Sequence, residues 1–88
     1  MVFRWNQWNL EHLAEHAVTP QEAEWVILNA QRPYPWAAGD GRWLVWGQTL
    51  AGRFLQVVFL LEANDKVYVI HARDLARDER RRLRRRRQ

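Results

Sequence analysis

Apolar and polar positions divide the chain into a helical first half and a strand-rich second half. Phe3-Arg4-Trp5 alternates and predicts a short first strand. Leu10, Leu13, Ala14 and Ala17 then fall at i, i+3, i+4 and i+7, one apolar stripe of a helix over about Trp8 to His16. Thr19-Pro20-Gln21-Glu22 is a second helix start: Thr19 can cap, proline suits the first helical position, and Glu22 completes a capping box. The helix it opens carries Ala23, Val26, Ile27 and Ala30 on one stripe, with Trp25 and Leu28 at its flanks. It ends before Pro33, because a proline pushes the preceding Arg32 out of the α region.

Arg32 to Gly41, with Pro33, Pro35 and Gly39-Asp40-Gly41, reads as a loop. Three strand-like runs follow: Arg42 to Gln48, Arg53 to Leu61 and Lys66 to Ala72. The segments between them are short enough for hairpins, which predicts a three-stranded antiparallel meander. Arg53 to Leu61 is nearly continuous in apolar residues, as a central strand covered on both faces would be. A C-terminal basic helix closes the chain, its apolar stripe reduced to Leu75, Ala76 and Leu83. The expected fold class is α+β: a short N-terminal strand, two helices, the meander and the basic helix. It forms one domain over residues 1–83, with residues 84–88 a frayed arginine-rich tail.

Composition adds a partner class. From Arg77 onward the chain holds eight arginines against two acids, whereas Met1 to Ala76 holds six basic and eight acidic side chains. All of the net charge of +4 therefore comes from the last segment. Charge segregated in this way points to a polyanion, nucleic acid or an acidic protein segment. With no cysteine, disulfides and thiolate metal sites are excluded. No apolar run with a cleavage site follows Met1, and the longest apolar run, Val57 to Leu61, is too short to span a bilayer. A cytoplasmic protein with no membrane partner is expected.

Four features bear on chemistry. His12-Leu13-Ala14-Glu15-His16 matches the H-x-x-E-H pattern of inverted zinc peptidases. A catalytic zinc needs a third protein ligand, and the only later histidine is His71, so the plainer reading is two histidines flanking a helix stripe. No metal or cofactor is expected. Trp5, Trp8, Trp25, Trp36, Trp43 and Trp46 read first as core residues, with base stacking as the alternative; Trp36 stands apart in the proline-rich loop. The arginine run is either a solvated arm or a phosphate-binding surface of Arg77, Arg80, Arg81, Arg84 and Arg85.

His71 and Arg73 form the fourth feature. They share parity with Val67 and Val69, which predicts one common face for all four. A histidine moves protons near neutrality and an arginine holds phosphate oxygens in a fork, the two tools that metal-free RNA cleavage needs. The structural alternative is a capping histidine and an Arg73 ion pair to Asp74 or Asp78.

Phe3-Arg4-Trp5-Asn6, Glu15-His16-Ala17-Val18-Thr19 and Glu22-Ala23 resemble the opening F-x-W-D…K-H-G-V-[ST]…E-A of the BrnT toxins. Arg42, Gly47, Gly52-Arg53 and Ile70-His71-Ala72-Arg73…Glu79-Arg80-Arg81-Arg82 are similar to that family's R…G…G-R…I-S-A-R…E-x-R-R ending. The resemblance implies a RelE-like endoribonuclease toxin of a type II toxin–antitoxin module. Such a toxin cleaves RNA, inhibits translation and is neutralised by a cognate antitoxin, through which alone it would meet operator DNA. It also implies His16, Arg42, Arg53, Arg73 and Glu79 as active-site residues, to which the chemistry above adds His71. The chain departs from the pattern with Glu15 for lysine, Ala17 for glycine, His71 for serine and Leu83 for tyrosine. The alternative function is a non-catalytic RNA- or DNA-binding module on the same fold.

Overall fold

The computed structural model describes the backbone of residues 1–86. Its elements are β1 (Val2–Arg4), α1 (Gln7–Ala14), α2 (Pro20–Leu28), β2 (Trp36–Gly39), β3 (Arg42–Gln48), β4 (Phe54–Glu62), β5 (Lys66–Asp74) and α3 (Arg77–Arg86). The class is α+β, on a five-stranded mixed sheet of order β1-β5-β4-β3-β2. β1 lies parallel to β5, and every other neighbouring pair is antiparallel.

The sheet differs from the expected one at both edges. The proline-rich loop ends early: Trp36 to Gly39 forms an edge strand on β3, turned by Gly39, Asp40 and Gly41, all at positive φ. Asp-Gly between two strand-compatible runs is a hairpin signal, and it outweighs the prolines, which stay outside the ladder. At the other edge β1 adds the parallel rung Phe3 opposite Val67.

α1 is shorter than its apolar spacing suggests, and its stripe differs. Asn6 caps the helix by accepting from the Asn9 amide at 3.2 Å, and the Asn9 side chain returns the bond to the Asn6 amide at 2.8 Å. Asn9 is fully buried because its remaining donor reaches the Arg4 carbonyl at 3.1 Å. Leu13 is the core anchor one turn later, while Leu10 and Ala14 face solvent. The helix ends at Ala14, so Ala17 never joins the stripe. α2 follows its signals: Thr19 and Glu22 close the capping box, and Ala23, Val26 and Ile27 are buried.

One sheet face carries the core. Val45, Leu55, Val57, Phe59, Val67, Val69 and Ala72 meet Leu13, Val18, Ala23, Val26 and Ile27. Gly47 lets α2 approach β3, since a Cβ there would stand 3.0 Å from Val26 Cγ1. The other face is crossed by α3, whose Arg82 lies over the Trp46 ring at 5.2 Å and whose Arg84 lies over Phe54 at 5.9 Å. Leu83 is the buried apolar contact of α3. The helix continues through Arg84 and Arg85 to Arg86. The remainder of the expected tail, 87–88, lies outside the described residues. Among the described residues no helix is long and apolar enough to cross a membrane.

Between α1 and α2 the backbone reverses through Ala17 at φ 53, a left-handed conformation that costs an L-residue roughly 1–2 kcal/mol. Glycine adopts it freely but adds unfolded-state entropy. Ala17→Gly is expected to stabilise the fold by up to about 1 kcal/mol, raising Tm by a few degrees in a chain of this size. A thermal melt followed by circular dichroism checks it, and a lower Tm would show that the turn carries no relievable strain.

Candidate functional site

β5 contains a bulge that decides where its end points. Phe59 pairs with Val69 and Val58 with His71, leaving Ile70 as an extra residue on β5. Beyond it the parity inverts. Ala72 pairs with Val57 in the core, while His71 and Arg73 stand beside Val58 and Gln56 on the opposite face. His71 and Arg73 do share a face, but not with Val67 and Val69 as their spacing suggests. An extra residue turns every later side chain over.

On that face His71 meets His16, which follows α1. The rings stand edge to face with centroids 5.5 Å apart. His71 is half-buried, and its pKa is lowered from the ordinary 6.5 by burial, with the positive charge of His16 and Arg73 adding to the effect. A neutral imidazole ready to accept a proton is therefore favoured at neutral pH. His12 does not join the pair: its ring stacks on Trp8 at 3.7 Å and its Nδ1 is 2.8 Å from the Trp8 carbonyl oxygen. Among the described residues no group of three or more histidines, cysteines or acids is placed to hold a metal ion.

The other expected site residues divide into separate groups. Arg73 donates to both oxygens of Glu79, at 2.8 and 2.9 Å, and to Gln56 Oε1 at 3.2 Å. Glu79 also accepts from the Ala76 amide at 2.7 Å, so it fastens the start of α3 to β5. This is the ion pair that the sequence places at Asp74 or Asp78, shifted to the next acid on the facing turn. Arg53 belongs to the opposite face, with Leu55 and Asp74 as neighbours in the ladder. It donates to both oxygens of Asp74 at 2.7 and 3.0 Å, to the Ala17 carbonyl at 2.6 Å and to the His16 carbonyl at 2.8 Å. Arg42 sits two strands from β5, on the β2–β3 hairpin, with its Nε 3.3 Å from the Gly39 carbonyl. The structure thus brings His16 and His71 together, uses Arg53, Arg73 and Glu79 as fastenings, and leaves Arg42 apart.

α3 supplies the cations. Arg77, Arg81 and Arg85 recur at four-residue intervals on its exposed side, with Arg84 also exposed. Arg82 reaches Asp78 at 3.7 Å. Arg80 differs: its Nε is buried and has no hydrogen-bond partner among the described residues. Arg53 holds Asp74 below the usual carboxylate range through its hydrogen bonds, and the positive charges of His16 and Arg80 act on the same carboxylate. Spacing alone missed the bulge, the special position of Arg80, and a stack of Arg4, Tyr68, Trp8 and His12 along α1.

No family model matches the chain, and no curated protein matches it.

The Arg73–Glu79 pair makes a stability prediction with a definite sign. Glu79 is largely buried and its pKa falls to about 2, first through the Arg73 hydrogen bonds and then through the Ala76 amide. A depressed carboxylate pKa contributes stability that is present above the unfolded value, near 4.5, and is lost as pH falls towards 2. Glu79→Gln is expected to cost about 1.5–3 kcal/mol at pH 7, the range for a hydrogen bond to a charged group. Urea denaturation at a series of pH values checks this: the gap between variant and wild type should close between pH 4.5 and 2. A gap constant with pH would mean that the pair contributes through packing alone.

Proposed function

We propose that this protein is an endoribonuclease that cleaves RNA with two imidazoles, a toxin of the type II toxin–antitoxin kind on a RelE-like layout. The observation that carries it is the His16–His71 pair, drawn from distant parts of the chain to one open face beside an arginine-rich helix. The resemblance of the ordered motifs to the BrnT pattern supports the same reading. On it, the partners are RNA and a cognate antitoxin, with operator DNA reached only through the antitoxin, and the work is done in the cytoplasm.

His71, held towards its neutral form, takes the proton of a ribose 2′-hydroxyl. The 2′-oxygen attacks the adjacent phosphorus, and the bond to the 5′-oxygen of the next nucleotide breaks. Protonated His16 gives its proton to that leaving oxygen. The products are a 2′,3′-cyclic phosphate and a 5′-hydroxyl, and both imidazoles return to their starting states by exchange with water. An arginine of α3 neutralises the phosphate, since Arg53 and Arg73 are already paired with carboxylates. The exposed arginines Arg77, Arg81, Arg84 and Arg85 hold the flanking backbone.

The pairing of Arg53 and Arg73 with acids also favours a second reading, an RNA-binding module without catalysis. Purified protein separates the two. On the first reading kcat/KM for RNA cleavage rises with pH through a value below 6.5, because the base must be unprotonated and its pKa is lowered. His71→Ala removes that limb and lowers the rate about 10²–10⁴-fold, the usual worth of one positioned acid or base. Bacteria expressing wild type, but not His71→Ala, stop growing and lose RNA integrity. RNA left intact by well-folded wild type, with binding retained, would leave the binding module.

A further inference from the structure

α1 presents Trp8 and His12 at i and i+4, one turn apart on one side of the helix, and His16 follows in the turn beyond its end. The first two are stacked, with planes 26° apart. Trp8 also lies near-parallel to Tyr68 of β5, with centroids 6.2 Å apart and planes at 25°. Arg4 continues the series, its guanidinium carbon 3.9 Å from the Tyr68 ring centre. The Tyr68 hydroxyl donates to Asn6 Oδ1 at 3.1 Å, and Glu62 holds Arg4 through both carboxylate oxygens, so the ladder is fixed at one end.

The ladder is not explained by the core. α1 is anchored by Leu13 and Asn9, both fully buried, whereas Trp8 keeps 47% of its surface exposed. Leaving that much of an indole in water forgoes about half of its hydrophobic gain. Arg4 and Tyr68 belong to the sheet face that also carries His71, as the register through Leu60 and Val58 requires. The ladder therefore runs along the same side of the molecule as the His16–His71 pair. An exposed aromatic ring beside cations is the surface that single-strand binders offer to bases, and the rings and guanidinium stacked behind Trp8 hold its exposed part in place.

We infer that the Arg4–Tyr68–Trp8–His12 ladder is the base-stacking site for a single-stranded RNA whose reactive phosphate lies at His16 and His71. The inference rests on the ribonuclease reading for the position of the phosphate. Stacking accepts every base, so the ladder supplies affinity without choosing a sequence. It also gives His12 a role that the H-x-x-E-H pattern does not: a rung beside the chemistry.

The test measures binding, apart from cleavage, with a fluorescein-labelled 2′-O-methyl oligoribonucleotide, which lacks the attacking hydroxyl. Fluorescence anisotropy gives Kd for wild type, Trp8→Ala, Trp8→Phe and the exposed control Leu28→Ala. Trp8→Ala is expected to weaken binding about 5- to 100-fold, the range for one lost base–aromatic stack, while Trp8→Phe and Leu28→Ala stay within about threefold of wild type. The slope of log Kd against log salt should not change, because no phosphate contact is removed. Inorganic polyphosphate, which has charge and no bases, is the competitor that detects a structural effect: its binding should be equal in wild type and Trp8→Ala. Equal oligonucleotide binding by wild type and Trp8→Ala overturns the site, as does a matching loss of polyphosphate binding. Cleavage by wild type with no effect of Trp8→Ala sinks the ladder and leaves the ribonuclease. A ladder effect on binding without any cleavage sinks the ribonuclease and leaves the stacking site.

Discussion

The extra residue in β5 is the constraint on which the functional face depends. Strict alternation from Val67 and Val69 would carry His71 and Arg73 into the packed side of the sheet. Burying an imidazole and a guanidinium without partners there costs several kcal/mol. With Ile70 unpaired, Ala72 takes the core position opposite Val57, and its small side chain fits the fully buried site. The same local irregularity therefore completes the core and turns two polar side chains towards His16 and Glu79. Bulges commonly re-aim side chains at functional sites, and here the re-aiming is visible in the burial of successive residues.

Charge is distributed by a parallel logic. In the body of the protein each well-placed arginine has an acid: Arg4 with Glu62, Arg53 with Asp74 and Glu22, Arg73 with Glu79. These pairs join elements distant in sequence, and they engage three of the eight acids that precede Arg77. Along α3 itself Glu79 turns towards Arg73 and Asp78 meets Arg82, at 3.7 Å. The surplus noted in the sequence thus becomes a localised field on one helix, and a local field of one sign draws a polyanion more effectively than the same net charge spread evenly. The aromatic ladder lies at the other end of the same face, so charge and stacking surface flank the two histidines.

The sequence made the middle of the fold legible, and the edges less so. Thr19-Pro20-Gln21-Glu22 and the stripe of Ala23, Val26 and Ile27 are local signals, read within one or two turns, and α2 follows them. β3, β4 and β5 follow from apolar runs bounded by short connections. β2 was hidden because prolines dominate its surroundings while its pairing is with β3, a tertiary fact. The α1 stripe failed because the core takes only Leu13 and the capping Asn9 from α1, leaving Leu10 and Ala14 in solvent, and because the helix ends before a left-handed Ala17. For the site, residue chemistry nominated His71 and Arg73, and the motif resemblance nominated His16, Arg42, Arg53, Arg73 and Glu79. What spacing could not show is which arginines are already engaged, since an ion pair across the sheet leaves no trace in local sequence.

Arg53 illustrates why that difference matters for chemistry. Its side-chain bonds go to carboxylates and backbone carbonyls rather than to an imidazole, yet they fix where His16 stands. Its guanidinium grips Asp74 on β5 with one edge and the carbonyls of His16 and Ala17 with the other. Asp74 lies one residue beyond Arg73 and three beyond His71 on the same strand, so the clamp ties the turn after α1 to the strand that carries the second imidazole. It also supports the left-handed Ala17, a conformation that persists only where surrounding bonds over-determine it. The two histidines are thus held in register by an arginine on the opposite side of the sheet. Because that clamp needs α1, β4 and β5 all in place, the imidazole pair forms only in the completed fold.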